Sequence, residues 1–198
     1  MTLKEKADNL MKIKGNVRGE SLVSYKNYIK EKEGPEGVLK LKEIMESLGY
    51  PLDFEKIKAL DWIQESYSAL IMTILIENFD WKEEDIFNLG HNTPQHSFIL
   101  KLLMKHFASI ESILKEVPNT WNKYFDFGRL EAFDYNKEEK YIIIRLFDYH
   151  FNPLMCLYLS GYLLRIAKLS IKSEKITIEE TKCTFNQDPH HEFVIKWE

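Results

Sequence analysis

The residues best suited to chemistry lie at the end of the chain, where a cysteine and a histidine pair flank a polar turn. Cys183 closes one predicted strand, and His190 and His191 open the next. The eight-residue spacing of Cys183 and His191 can bring a thiolate and an imidazole together across a hairpin, and this pair suits zinc. Two ligands are too few for a structural site, so Cys156, His190 or another chain would have to contribute. The alternative is that Cys183 is a small buried hydrophobic residue and His191 an exposed strand residue, because zinc motifs normally show paired ligand doublets.

Three further histidines, His91, His96 and His106, lie close together in sequence without forming a metal motif. A five-residue gap rotates about 140° on a helix, so His91 and His96 do not share a face. A two-histidine zinc helix has a spacing of four, as in His-Glu-x-x-His, which is missing here. One of the three could be an axial haem ligand. No second haem feature accompanies them, so a hydrogen-bonded or solvent-facing histidine is the simpler interpretation.

The sequence predicts no catalytic residues. It has no Gly-x-Ser-x-Gly elbow and no glycine-rich phosphate loop. Adjacent acidic residues such as Glu179 and Glu180 point to opposite faces of a strand, so a solvated surface is their expected role. These features favour a protein that is not an enzyme, without deciding the question.

Aromatic residues crowd the region where predicted helices give way to predicted strands. Rings at such a boundary either fill the core, which is the default interpretation, or line an apolar pocket. The functional alternative is a pocket for a small hydrophobic ligand between the helices and the sheet. Its six candidate lining residues are Trp121, Tyr124, Phe125, Phe127, Phe147 and Tyr158.

Length and composition indicate one globular domain, residues 1–198. Net charge is −4 and basic residues are spread along the chain, which argues against a nucleic-acid partner. Two cysteines give no disulfide framework, and the start of the chain lacks an apolar run, so a reduced, cytoplasmic setting is expected. The apolar run from Leu154 to Leu164 is too short to span a bilayer and is better explained as a buried helix.

The order of the predicted elements indicates an α+β fold. Residues 1–12 form an amino-terminal extension, residues 13–120 are mainly helical and residues 121–198 are rich in sheet. Alternating polar and apolar residues predict strands at 129–135, 140–147, 175–183 and 192–197. The apolar helix at 153–169 lies between the second and third strands. The sequence therefore predicts a helical half packed on a four-stranded antiparallel sheet with a central apolar helix.

Helical spacing in the first half predicts three longer helices. The first lies within residues 20–48, where helical spacing is broken at Gly34-Pro-Glu-Gly37, and its amphipathic part begins at Val38 and ends near Leu48. A second is expected from about Phe54 to Phe79. A third begins near Asn92-Thr-Pro94 and reaches about Phe107, because proline is favoured in the first turn of a helix.

Several segments together resemble one superfamily of ligand-binding domains. The segment Trp121–Glu131 is similar to the "W..YYD.GRLE" pattern of an uncharacterised bacterial branch, and Ile13–Val17 is similar to its "VKG.V" start. The close from Glu180 to Trp197 resembles "ET.C...GDP.CEF.V.W". Shorter matches to the branch are Gly34-Pro-Glu-Gly37, Tyr50-Pro-Leu52 and the Cys156–Gly161 pair. That branch belongs with the haem–nitric-oxide-binding domains, the 4-vinyl reductase domains and the ligand-binding-fold subunits of the TRAPP trafficking complex.

The departures from the family pattern bear on cofactors. Gln187 stands in place of the glycine of the turn, and His191 in place of its second cysteine, an exchange that keeps a zinc ligand available. Members that bind haem carry Tyr-x-Ser-x-Arg to hold the propionates. Here the strand reads Tyr141-Ile-Ile-Ile-Arg145, and the only Tyr-x-Ser, at Tyr158, has no arginine after it. The resemblance thus implies that zinc can bind and that haem is unlikely.

The combined expectation is a sensory or ligand-binding domain, not an enzyme, that holds a small hydrophobic molecule between helices and sheet. Two alternatives remain: a protein–protein interaction module acting as a dimer, and a haem gas sensor disfavoured by the missing motif. A homodimer or a signalling protein would be the partner. An apolar cavity would favour the ligand-binding class, and a filled core with a large exposed apolar patch would favour the interaction module.

Overall fold

The protein is described from a computed structural model covering residues 1–97 and 109–198, without the side chain of His96. The helices are α1 Leu3–Leu10, α2 Gly19–Ser47, α3 Ser66–Asn78, α4 Glu83–His96, α5 Ile110–Tyr124 and α6 Leu154–Ser170. The strands are β1 Asn16–Arg18, β2 Trp62–Gln64, β3 Arg129–Asn136, β4 Tyr141–Phe147, β5 Ile176–Lys182 and β6 His191–Trp197. A short 3-10 turn, Thr184–Asn186, lies between β5 and β6.

The main sheet has four antiparallel strands in the order β3-β4-β6-β5. Alternation along β4 buries Ile142, Ile144 and Leu146, while the residues between them lie on the outer face. Helix α6 packs against β5 and β6 on the buried side and against α4 on its other side. The predicted α+β fold, with an apolar helix on a four-stranded antiparallel sheet, is confirmed.

Helix α2 covers nearly the whole region in which helical spacing was predicted, residues 20–48, and runs through the predicted break. It begins at Gly19 and continues through the glycine–proline segment to Ser47. Gly34 has φ +74° and ψ 178°, so the two helical segments meet at a kink there. Glycine accepts this conformation without a Cβ penalty, and Pro35 then stands in the first turn of the second segment, where its missing N–H costs little. The predicted break is therefore a bend, and the chain keeps its helical path through it.

The helix predicted from Phe54 to Phe79 is wrong over its first half. Residues Trp62–Gln64 form β2, which pairs antiparallel with β1, and α3 begins only at Ser66. A pairing partner some 45 residues earlier decides this conformation, and local spacing contains no information about it. The second half of the prediction, α3, is correct, and its apolar residues from Ala69 to Leu75 are almost all fully buried.

The third predicted helix also differs from the structure. Helix α4 begins at Glu83, well before Asn92, and Pro94 lies inside its last turn. The remainder of that prediction, up to Phe107, lies outside the described residues. Among the helices that are described, none is long and apolar enough to cross a membrane.

Helices α4 and α6 touch through two glycines. A Cβ at Gly90 would overlap the carbonyl oxygen of Tyr158, and one at Gly161 would overlap the carbonyl oxygen of Phe87. Only glycine permits this approach on both sides. The crossing fixes the position of α6, which carries residues of both candidate sites described next.

Candidate functional site

Four potential metal ligands meet where α6, the end of β5 and the start of β6 converge. They are Cys156 from α6, Glu180 from β5, Cys183 just after β5, and His191, the first residue of β6. One ligand atom from each residue lies within 4.8 Å of all the others. This set, called the Cys/His cluster below, joins a helix to both strands of the terminal hairpin.

The distances within the Cys/His cluster are close to those of a tetrahedral zinc site. Bonds of about 2.3 Å to sulfur and 2.0–2.1 Å to nitrogen place two sulfurs about 3.8 Å apart, and a sulfur and a nitrogen about 3.5 Å apart. The sulfurs of Cys156 and Cys183 are 3.7 Å apart, and Cys156 Sγ lies 3.6 Å from His191 Nδ1. The Glu180 carboxylate oxygen lies nearer, 2.8 Å from Nδ1, and would have to move by about half an ångström to share an ion.

Hydrogen bonds fix which nitrogen of His191 faces the cluster. Its Nε2 is 2.8 Å from the carbonyl oxygen of Tyr149, and a carbonyl only accepts, so Nε2 carries the proton. The other nitrogen, Nδ1, points its lone pair at Cys156 and Glu180. Two acceptors 2.8 Å apart require a proton or a cation between them. Metal-bound histidines commonly donate their second N–H to a backbone carbonyl in this way.

The Cys156 side chain is buried, but a cleft connects the Cys/His cluster to solvent. Burial, followed by the nearby Glu180 and Cys183, raises the pKa of the Cys156 thiol well above its usual range. An open cleft of about 460 Å³ leads from solvent to Cys156, Glu180 and Cys183 and passes Phe185 and Asn186. An ion therefore has a path of entry, and on binding it would take the thiols in their deprotonated form.

The structure brings three of the four sequence candidates together and leaves His190 apart. His190 precedes His191 and points to the outer face of the sheet, where its ring contacts Phe147 at a centroid distance of 5.0 Å. Glu180 takes the remaining place. It was missed because Glu179-Glu180 was taken as a solvated pair. The pairing of β5 with β6 is irregular between Glu180 and Lys182, and Glu180 and Cys183 meet in the same cluster. The sequence does not show this irregularity.

Two small apolar cavities, called the α5 cavities below, lie beneath helix α5. The first has a volume of about 60 Å³ and includes Trp121, Tyr124, Phe125 and Tyr158 in its lining. The second, also about 60 Å³, lies under the start of α5, where Ile110, Leu114 and Val117 face β4, β6 and α6. Leu130 and Leu163 line both cavities and so form the partition between them.

The two remaining pocket candidates lie elsewhere. The Phe127 ring packs on Gly15, Tyr149 and Phe151, at the junction with the helical half. Phe147 is on the outer face of β4, beneath the guanidinium of Arg129. Both are aromatic and close in sequence to cavity residues, but strand alternation turns Phe147 away from the cavity.

A buried carboxylate connects the Cys/His cluster to the helical half. Glu65, only 1% exposed, accepts hydrogen bonds from Tyr149 Oη at 2.7 Å and from Ser68 Oγ at 2.8 Å. Burial raises the pKa of Glu65 from 4.5 to about 7, against the opposing effect of those two hydrogen bonds. Because Tyr149 also accepts from His191 through its carbonyl group, one residue contacts both sites. The sequence contained no signal for this carboxylate.

Of the three histidines considered for haem, only His91 has a described side chain. His91 lies on α4, and its Nε2 is buried without a hydrogen-bond partner in the described part of the chain. Burial, then Lys168 and Arg165, lowers the pKa of His91, which keeps the ring neutral. The His96 side chain and all of His106 lie outside the described residues.

Comparison with known proteins defines the class of fold. Neither a family model nor a curated protein sequence matches the chain. An H-NOX protein from S. oneidensis in the Fe(II)NO ligation state matches with a TM-score of 0.68 and 13% identity, over 91% of this chain and 99% of that one. An Fe(II) unliganded H-NOX protein from K. algicida matches with 0.64 and 13%, over 91% and 96%. A doubly substituted Tt H-NOX matches with 0.63 and 16%, over 91% and 95%.

These matches establish that the chain has an H-NOX-like fold. At such low identity they establish the fold alone. The haem–nitric-oxide-binding part of the sequence resemblance is thereby confirmed at the level of fold. Its relation to 4-vinyl reductase domains, to TRAPP subunits and to a bacterial branch stays a prediction.

The expectation that haem is unlikely is wrong. Two of the matching structures are H-NOX proteins described in Fe(II) states, and another match, with a TM-score of 0.61, concerns heme redox potential and porphyrin distortion. The expectation depended on one motif, Tyr-x-Ser-x-Arg, and one motif is a poor guide when the whole fold is retained at such low identity. Tyr141 and Arg145 in fact stand at the motif's spacing, with Ile143 at the serine position.

Proposed function

We propose that this chain is a small-molecule sensor domain in which an apolar ligand binds in the α5 cavities and a zinc ion in the Cys/His cluster fastens the terminal hairpin. The observation that carries the proposal is the pair of apolar cavities under one helix. Natural cores are packed at close to crystal density, and voids of this size are few in any domain. Two that share the partition Leu130 and Leu163 make one elongated space that a ligand can open.

Helix α5 is suited to move when a ligand enters. It packs mainly on the edge strand β3 and touches β1, and its inner face lines both cavities. Ser109 caps its start, and Gly128 with φ +67° follows shortly after its end. A ligand that is bound better when α5 is displaced would shift the population towards that arrangement, which is how binding becomes a signal.

The size of the cavities restricts the ligand. An apolar cavity of about 150 Å³ accepts benzene, so either α5 cavity accepts only a few heavy atoms as it stands. A larger ligand must join the two cavities by moving Leu130 and Leu163. The lining of the first cavity exposes mainly apolar atoms, and its hydroxyl-bearing residues are Ser21, Tyr124, Tyr158 and Tyr162. A small apolar molecule is the ligand class that fits.

Haem is a candidate ligand because a protein of similar fold is described with it. A porphyrin is far larger than either cavity that the described residues line. Arg145 donates through Nε to Glu192 at 2.7 Å, and Tyr141 donates to Asp134 at 2.7 Å, so both are engaged on the outer face. A bound haem would require the space beneath α5 to open. A Soret band of the purified chain, expressed with haem supplied, decides whether it does.

Zinc is proposed for the Cys/His cluster because of its donor set. Two thiols, one imidazole presenting its lone pair, and one carboxylate meet at nearly tetrahedral distances. The two sulfurs are 3.7 Å apart and unbonded, which also fits the proposed reduced, cytoplasmic setting. Bound zinc would tie α6 to the hairpin at the edge of the sheet.

The second candidate, a dimeric interaction module, is less well supported. A filled core and a large exposed apolar patch would favour it. The described residues instead contain apolar cavities, and their exposed large hydrophobic residues, among them Leu60, Phe133 and Leu169, are scattered.

The ligand-binding proposal is tested with xenon as the probe, since xenon enters small apolar cavities. Backbone amide shifts are recorded under xenon pressure for the wild type, for Leu163→Phe, and for the matched control Leu169→Phe. Leu169 is 49% exposed on the same helix, so its replacement leaves the cavities unchanged. We expect xenon shifts around Leu130 in the wild type and in the control, and their loss in Leu163→Phe. A wild type without these shifts contradicts the proposal.

The zinc proposal has a separate test. Native mass spectrometry of freshly purified, reduced chain should show one zinc per chain. Cys183→Ser and His191→Ala should lose it, while the adjacent His190→Ala should keep it. A metal-free wild type after growth with zinc, or zinc retained in both ligand variants, contradicts the assignment.

A further inference from the structure

A second group of polar side chains lies outside both sites, next to the crossing of α4 and α6. At the crossing, Gly161 of α6 meets the backbone of Phe87 and His91 of α4. Arg165 and Lys168 follow Gly161 by four and seven residues, which places them on the same face of α6, one and two turns further along. That face carries them along α4, beside His91.

The electrostatic influence on His91 supports this placement. Burial lowers the pKa of His91 first, and Lys168 and Arg165 lower it further. The imidazole ring lies roughly parallel to the Phe87 ring, with centroids 6.5 Å apart and an interplanar angle of 15°. Two cations and one neutral imidazole therefore share a small region of the helix pair.

Arg165 and Lys168 form no ion pair with any described residue. Among residues 1–97 and 109–198, no ion pair or hydrogen bond involves the side chain of Arg165 or Lys168. The Nε of Arg165 and the Nε2 of His91 are both buried without a hydrogen-bond partner in that part of the chain. Residues 98–108, which adjoin α4 in sequence, contain no aspartate or glutamate at all.

Such an arrangement is unfavourable without a ligand. A buried polar atom without a hydrogen-bond partner is destabilising, and the Nε of Arg165 and the Nε2 of His91 are two such atoms. Arginine presents a planar fork of donors that matches carboxylate and phosphate oxygens. A neutral imidazole with its proton on Nε2 adds one more donor.

We propose that the α4–α6 crossing binds an oxyanion, with Arg165 and Lys168 supplying charge and His91 Nε2 donating a hydrogen bond. The chemical class is a carboxylate or a phosphate. It comes from a free inorganic ion or from the acidic end of a larger ligand. The site is separate from the Cys/His cluster and does not depend on zinc or on the α5 cavities.

Titration with inorganic phosphate and with octanoate, at ionic strength held constant with chloride, tests the site. The readout is the 15N-resolved signals of Arg165 Nε–H and the His91 ring. We expect saturable shifts with one or both anions and none with chloride. Phosphate alone identifies a free ion, and octanoate binding alone identifies the carboxylate of an apolar ligand.

Variants make the test specific to the named residues. Arg165→Gln should weaken binding at least about tenfold, because it removes a charge-assisted pair of hydrogen bonds. Arg165→Lys should recover only part of the affinity. Lys172→Gln, an exposed lysine just beyond α6, should bind like the wild type. Equal affinity in Arg165→Gln and the wild type, or shifts indistinguishable from those with chloride, overturns the proposal. Zinc content is measured in parallel, so this outcome is independent of the zinc assignment.

Discussion

The Cys/His cluster and the α5 cavities are built on the same helix and strand but are packed in opposite ways. At the cluster, α6 and β6 contribute Cys156 and His191, and the His191 ring, fully buried, has a partner at each nitrogen. At the cavities, the same two elements contribute Leu163 and Phe193, and space remains between them and α5. Directional polar contacts leave no freedom of position at the first site, while non-directional apolar contacts leave room at the second. The contrast indicates that the Cys/His cluster holds α6 in a fixed position, whereas the packing of α6 at the α5 cavities can adjust. The Cys/His cluster is called the anchor below.

The largest effect is expected from replacing His191, the central residue of the anchor. His191→Ala should lower the free energy of unfolding by about 3–5 kcal/mol, because it opens a cavity and leaves the Tyr149 carbonyl oxygen without its donor. Urea unfolding of reduced protein measures the change. His190→Ala should cost less, because the buried His190 ring packs on Phe147 but its Nε2 has no hydrogen-bond partner to lose. Equal losses in the two variants would show that the cluster has no special role in stability.

The pH dependence of stability shows whether the anchor extends to Glu65. The pKa of the folded state, about 7, exceeds the ordinary value of 4.5, so the folded chain binds a proton that the unfolded chain releases. The resulting stability is fully present below pH 4.5 and is lost as pH rises to about 7, a change of about 3 kcal/mol. Glu65→Gln should reduce the change in the free energy of unfolding with pH, measured from about pH 5 to 8. The exposed Glu46→Gln should leave them unchanged, and a wild type that gains stability over this range contradicts the assignment.

The helix crossing joins the two regions, and a single methyl group should disturb it. Gly161→Ala places a Cβ against the Phe87 carbonyl oxygen, and separating the helices should cost about 1–3 kcal/mol. Thermal unfolding measures the loss. Ser160→Ala, at the adjacent, partly exposed position, is the control. No difference between the variants would mean that α4 and α6 approach less closely than described.

The smallest effect is expected where space is already present. Leu114→Phe enlarges a side chain that lines the second cavity and should raise the free energy of unfolding by about 0.5–1 kcal/mol. Leu39→Phe, at an exposed position, provides the comparison. A clear loss of stability in Leu114→Phe would show that the cavity is too rigid to be filled, and would weaken its assignment as a ligand site.

The sequence predicted well those features that follow from local periodicity. Alternation found all four strands of the main sheet, and the all-round apolar run found α6. Cys156, Cys183 and His191 were candidate ligands because of residue type and spacing, and the fold brings their ligand atoms together.

The features that were missed depend on contacts between distant segments. Glu180 joins the cluster through an irregular strand pairing, and β2 exists because β1 pairs with it. The α5 cavities are lined by side chains from segments far apart in sequence, such as Val117, Leu130 and Leu163, and no pattern along the chain records this arrangement. The error over haem had a different origin, since one motif was given more importance than the whole fold.

If zinc binds, Tyr149 would link its affinity to the protonation of Glu65. Its carbonyl oxygen accepts from the His191 ring, and its hydroxyl donates to Glu65, so the two sites share one rigid intermediary. If an ion at the Cys/His cluster shifts Tyr149, the proton affinity of Glu65 changes, and by linkage the pH must then change the affinity for the ion by the same factor. The affinity of the Cys/His cluster for zinc would thus depend on the protonation of Glu65, a carboxyl group that does not contact the ion.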